Sequence, residues 1–154
     1  MSRIKKILVA VLFVFIIIQF IQPPRNKSGQ LLPTEITRVF TEPENVQDIL
    51  KTSCYDCHSN NTHYPWYSFI QPGAWWMANH IKEGKQNLNF SEFGSYSKRK
   101  QQNKLRSIAK SIEDATMPIG AYTLMHGDAT LSKDKKEIIV DWVNRTKDSL
   151  SKTN

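Results

Sequence analysis

The chain has 154 residues, with 21 lysines and arginines against 14 aspartates and glutamates, a formal charge of +7, and two cysteines. Residues 1–30 hold five of the basic residues and no acid, leaving 16 basic and 14 acidic residues in the remainder. That near balance excludes a nucleic-acid reading based on overall charge, because the positive excess sits at one terminus. Two cysteines are also too few for a disulfide-framed scaffold.

The N-terminus opens with a basic tip, Met1-Ser2-Arg3-Ile4-Lys5-Lys6, followed by an apolar run from Ile7 to Phe20 broken only by Gln19. Basic residues ahead of an apolar segment are retained on the cytoplasmic side, which predicts export of the rest of the chain. As a helix, the stretch from Ile7 to Ile21 covers about 22 Å against a hydrocarbon core of about 30 Å. Snorkelling by Lys5 and Lys6 and extension through Ile4 and Gln22 make a thin crossing feasible. The following Gln19-Phe20-Ile21-Gln22-Pro23-Pro24-Arg25 offers no small-x-small cleavage site, so residues 1–22 read as an uncleaved transmembrane anchor. A cleaved signal helix is the alternative. Residues 23–43 read as a Pro-containing linker, interrupted by Pro23-Pro24, Asn26-Lys27-Ser28-Gly29, Pro33 and Pro43. That leaves 44–150 as one small domain, marginal for a core made of protein alone.

A short helix over about 45–53 leads into Cys54-Tyr55-Asp56-Cys57-His58, which spends both cysteines on a C-x-x-C-H motif. On a turn opening a helix, thiols three residues apart can each form a thioether to one haem vinyl group, and the next histidine can face the iron. A redox dithiol would be expected after a strand in a βαβ pattern, and the residues before Cys54 are helical in pattern instead. Zinc would need about four ligands, and there is no second cysteine pair.

An aromatic loop, Tyr64-Pro65-Trp66-Tyr67-Ser68-Phe69-Ile70, follows the motif. A second helix is predicted over about 74–88, carrying Trp75, Trp76, Ala78, Ile81 and Leu88. A third, over about 98–115, places Leu105, Ile108, Ala109 and Ile112 on one buried stripe. Its Lys98, Arg99, Lys100, Lys104, Arg106 and Lys110 read either as a solvated face or as a docking face for an acidic redox partner. The last helix, about 132–149, starts at Ser132 and puts Ile138, Ile139, Trp142 and Val143 on one side. No segment alternates as a strand does.

The second axial position of a haem iron would come from Met77, Met117, Met125, His63, His80 or His126. Met117 is favoured because Ala115-Thr116-Met117-Pro118 ends a long helix in an extended loop that can lay a thioether across a haem face. Met125 and His126, in the loop Tyr122-Thr123-Leu124-Met125-His126-Gly127, remain the competitors. Met77 reads as packing, His80 as a partly buried histidine, and His63 is too close to the motif to cross the ring.

The segment from about Pro43 to Val143 resembles the small bacterial haem-binding domain family, related to c-type cytochromes. The resemblance is carried by Cys54-Tyr55-Asp56-Cys57-His58-Ser59-Asn60, Tyr64-Pro65-Trp66-Tyr67, Ala74-Trp75-Trp76, Leu88-Asn89-Phe90-Ser91-Glu92-Phe93, Met117-Pro118 and Ala129-Thr130-Leu131-Ser132 leading into Asp141-Trp142. The predicted helices make the domain all-α, consistent with a cytochrome c-like fold, and the resemblance implies one haem c, covalent through Cys54 and Cys57, with iron ligated by His58 and Met117. It implies no reaction. The resulting expectation is a monohaem electron carrier, more a carrier than an enzyme, anchored in the bacterial inner membrane with its domain in the periplasm and an unidentified redox partner. A small-molecule sensor or peroxidase-like enzyme with a labile sixth ligand is the alternative.

Overall fold

The computed structural model describes residues 2–152, and the regular structure among them is helical. In chain order the helices are α1 (Arg3–Gln19), α2 (Ile36–Val39), α3 (Glu44–Ser53), α4 (Tyr55–His58), α5 (Gly73–Asn87), α6 (Lys98–Glu113), α7 (Gly120–Met125) and α8 (Lys133–Lys152). Single 3-10 turns lie at Trp66–Phe69, Phe90–Ser95 and Gly127–Ala129. The all-α expectation, the short predicted helix before the motif and the three long ones after it agree with this arrangement.

The strongest periodicities made the largest interface. Ser97 starts α6 by accepting the Lys100 N–H, and Ser132 starts α8 by accepting the Lys135 N–H at 3.3 Å. Each hydroxyl satisfies a helix N–H that has no partner within the helix. Leu105, Ile108, Ala109 and Ile112 of α6 then face Ile139, Trp142 and Val143 of α8, the most extensively packed helix pair. Val46, Ile49 and Leu50 of α3, with Phe90, Phe93 and Ile36, close the core. Helix α5 turns the other way from its apolar content. Ala74 and Ile81 are buried, whereas Trp75 and Trp76 are 37% and 48% exposed.

Two N-terminal expectations change. Helix α1 has 17 residues, about 25 Å at the α-helical rise, and its Gln19 and the residues after it are held by the domain. No helix among the described residues is long and apolar enough to cross a membrane, so the expected transmembrane helix is not supported. None of its residues is buried.

The segment read as a linker is irregular except for the single turn of α2, and it is fastened to the domain. The Arg25 guanidinium lies 4.5 Å from the Tyr64 ring centre and 3.9 Å from that of Phe69, and donates to the Ser68 carbonyl at 3.2 Å. The Asn26 amide donates to the Ser59 carbonyl at 2.8 Å and the Thr62 hydroxyl at 2.9 Å, while its oxygen accepts from Lys85 at 2.7 Å. Backbone groups with no ladder or helix to join must find other partners, and here the loop after the C-x-x-C-H motif supplies them. Ile36, inside the predicted linker, is completely buried.

Where this strap meets α3, Glu42 is partly enclosed and neither carboxylate oxygen has a hydrogen-bond partner. Burial, and then Glu35, push its carboxyl up to about 7, with Lys51 opposing. The folded protein therefore keeps a proton that the unfolded chain releases near the ordinary 4.5. Stability is lost as pH rises between those values and stays low above them. Glu42→Gln is expected to raise stability by about 1–2 kcal/mol at pH 8, allowing for solvent screening, and to change little at pH 4. Denaturant midpoints at the two pH values check it.

Candidate functional site

The C-x-x-C-H motif forms a break and one helical turn. Cys54 leaves the helical conformation (φ −129°) between α3 and α4, and its carbonyl accepts from the His58 N–H at 3.0 Å. This turn forms one wall of a cavity of about 410 Å³ lined by Cys54, Cys57 and His58. Leu88, Phe90, Ile108, Ile112 and Leu131 also line it, and Met117, Pro118 and Ile119 approach from the loop after α6.

His58 is held by backbone. Its Nδ1 lies 3.0 Å from the carbonyl oxygens of Gly84 and Leu88, at the end of α5. Carbonyls only accept, so Nδ1 carries the proton and Nε2 keeps a free lone pair on a ring that lines the cavity. Burial lowers the imidazole pKa, against the two backbone contacts that raise it, which favours the neutral form a metal needs. The close approach of α5 depends on Gly84. A Cβ there would stand 2.7 Å from the Cys57 carbonyl oxygen and 3.3 Å from the Cys57 Cβ.

Asp56, the second spacer residue of the motif, staples the turn to its surroundings. One carboxylate oxygen accepts the His63 N–H at 2.9 Å and the other the Tyr122 hydroxyl of α7 at 2.8 Å. Its carbonyl accepts from Thr62 at 2.6 Å. Helix α7, which follows Met117, is thereby tied to α4, the helix that carries Cys57 and His58.

Another part of the lining is built by the end of α6 and the loop after it. Ala115 takes a left-handed conformation (φ 53°), its N–H donates to Ile112 O, and the Thr116 N–H donates to Ser111 O at 3.0 Å. This is the paired bonding of a Schellman turn, with alanine where glycine is usual, so the turn carries backbone strain. Two residues on, Met117 reaches the cavity and is 41% exposed.

Of the six candidates for the second axial position, Met117 and His80 line the cavity. His80 donates through Nδ1 to the Trp76 carbonyl at 2.9 Å and packs on the Trp76 ring at 4.0 Å between centres. His126 lies outside the cavity lining and is engaged elsewhere: Nδ1 donates to Tyr122 O at 3.1 Å, Nε2 accepts the Tyr67 hydroxyl at 3.0 Å, and the ring stacks on Tyr122 at 4.2 Å. Met125 is 56% exposed, and it, Met77 and His63 do not line the main cavity.

Both thiols are unpaired. Burial, and then the neighbouring Cys57, push Cys54 up to about 12, and burial and Asp56 push Cys57 up to about 11. A dithiol redox site has the opposite character, with a thiol pKa well below that of free cysteine. Among the described residues no group of three or more His, Cys, Asp or Glu could hold a metal on its own, which counts against zinc.

The residues present fit a haem on the chemistry of the donor set. A neutral imidazole with a free Nε2 and two protonated thiols share a cavity whose size falls in the usual ligand-site range of about 300–1,000 Å³. Most of its lining surface is apolar; Asn87, Lys104 and Ser107 provide polar groups suited to the propionates, and the carboxylates Asp56 and Glu83 also line it.

Sequence reasoning passed over Gly84, Asp56 and Tyr122. Gly84 had a readable signal, since a glycine inside a helix costs about 1 kcal/mol relative to alanine and asks for a packing reason. Asp56 and Tyr122 are 66 residues apart, and no local pattern pairs them.

A family model described as a haem-binding domain matches residues 13–145. The matched stretch starts within α1 and takes in the whole strap, well before Pro43. No curated protein and no solved structure matches the chain.

Proposed function

This chain belongs to the haem-binding domain family, and from that premise we propose that it carries one covalently attached haem c and works as a membrane-attached, periplasmic electron-transfer protein. Cys54 and Cys57 would hold the haem through thioethers, and His58 and Met117 would hold its iron. The observation that carries this reading is the His58 tether: two carbonyls at 3.0 Å hold the Nδ1 proton and leave Nε2 free beside both thiols. When bound, the haem supplies one-electron iron chemistry; the chain supplies an apolar enclosure, a fixed imidazole and a thioether that keeps small molecules off the iron.

Membrane attachment is supported by α1 itself. Its exposed residues from Ile7 to Ile17 include isoleucine, leucine, valine and phenylalanine on all sides. A helix apolar all round is suited to burial in lipid, whereas one lying in the interface plane has a polar face. Snorkelling by Lys5 and Lys6 and local thinning of the bilayer would offset its shortness. The basic tip predicts that the domain faces the exported side.

One observation favours a second reading, a small-molecule sensor: Met117 sits on an exposed loop and is 41% accessible. Optical spectra of the full chain, oxidised and reduced, with and without carbon monoxide, separate the two. Electron transfer is expected to give a low-spin spectrum that carbon monoxide leaves unchanged, and Met117→Ala is expected to open the iron to carbon monoxide and lower the potential. A native protein that binds carbon monoxide readily would remove the electron-transfer assignment in favour of sensing or catalysis.

A further inference from the structure

The C-terminal end of α1 does not swing free of the domain. Gln19 Oε1 accepts the Gln71 N–H at 2.9 Å, and the Ile21 carbonyl accepts both the Gln71 amide at 2.8 Å and the Trp75 indole N–H at 2.9 Å. Gln22 donates to the Phe69 carbonyl at 3.0 Å. Gln71 is buried, so this joint is part of the domain. Around it the large apolar side chains face outward: Trp66 is 75% exposed, Phe69 54%, Trp76 48%, Phe20 84% and Ile21 56%. Residues 16–27 and 64–76 contain no aspartate or glutamate, and the first of these segments includes Arg25 and Lys27.

We propose that this aromatic face is a lipid-docking surface, which seats the domain in the headgroup region of the bilayer that receives α1. The inference rests on the lipid-inserted reading of α1. Its own basis is the continuity of the patch with that helix and the lack of acids in the two segments that form it. Tryptophan is favoured at the membrane interface because its apolar ring and N–H dipole suit that boundary, and basic residues are attracted to anionic headgroups. The seat also answers the length problem: an aromatic face flush with the helix end lets the domain sink into the interface, so α1 has less hydrocarbon to cover. With the joint hydrogen-bonded to Gln71 and Trp75, the domain would ride at a set orientation to the membrane.

The test uses the full holoprotein labelled with 5-fluorotryptophan, reduced, in nanodiscs of phosphatidylethanolamine and phosphatidylglycerol, with and without a gadolinium-chelate headgroup lipid. The four fluorine lines are assigned by single Trp→Phe variants. The expected result is loss of the Trp66, Trp75 and Trp76 lines to broadening, with the line of buried Trp142 retained. Incorporation into nanodiscs with all four lines retained would overturn the docking surface and leave the anchor standing. Failure to incorporate at all would overturn the anchor and this proposal with it. Lines that respond to protein concentration and not to the gadolinium lipid would overturn it in favour of a second copy covering the patch.

Discussion

Gly84→Ala is expected to cost about 3 kcal/mol and roughly 10 °C in Tm, and to lower the haem content of the purified protein. The added methyl would enter a space 2.7 Å from the Cys57 carbonyl oxygen, a backbone atom that cannot rotate away. Helix α5 must then back off from α4, and the Gly84 and Leu88 carbonyls that hold His58 move with it. The helix-propensity gain of alanine, about 1 kcal/mol, works against this loss and is smaller. Thermal unfolding and pyridine haemochrome content measure the two effects. Gly127→Ala is the control, because a Cβ there meets nothing within 4 Å. Equal behaviour of the two variants would show that α5 does not press on the motif.

The double variant Cys54→Ala/Cys57→Ala is expected to lose covalent haem completely. After maturation in a strain competent for covalent attachment, acid-acetone extraction should strip the pigment from the variant and leave it on the native protein. His58, which neither substitution touches, would still offer Nε2, so some haem is expected to bind without covalent linkage before extraction. The raised thiol pKa values add a second reading of the same chemistry. With Cys54 pushed up to about 12 and Cys57 to about 11, the protein without haem should react slowly with iodoacetamide at pH 7. Fast alkylation, together with pigment that extracts from the native protein, would return the pair to dithiol chemistry.

Much of the domain's helical layout was legible because its cause is local. Leu105, Ile108, Ala109 and Ile112 repeat at helical spacing, Ser132 precedes α8 with a capping hydroxyl, and the all-α class followed from such runs. The C-x-x-C-H motif is likewise local: its three side chains lie within five residues, so the spacing is readable without knowing what packs around them. The strap was not legible. Residues 23–43 have the prolines of a flexible linker, but the partners that immobilise Arg25 and Asn26 come from Ser59, Thr62, Tyr64, Ser68, Phe69 and Lys85, and composition carries no trace of them.

The tertiary structure alone decided which groups share the cavity. Met117, Met125 and His126 all read from sequence as loop residues, although Met125 ends α7 in the structure, and chain distance does not rank them. Folding turned His126 towards Tyr67 and Tyr122 and brought Met117 to the wall of the His58 cavity. The tautomer of His58 depends on carbonyls 26 and 30 residues away, and the outward turn of Trp75 and Trp76 on which face of α5 packs against α4. Short-range pattern specifies helices and a one-turn motif because hydrogen bonds and side-chain period repeat within a few residues. Long-range pairings such as Asp56 with Tyr122 exist only once the helices have packed, since no local free energy distinguishes them beforehand.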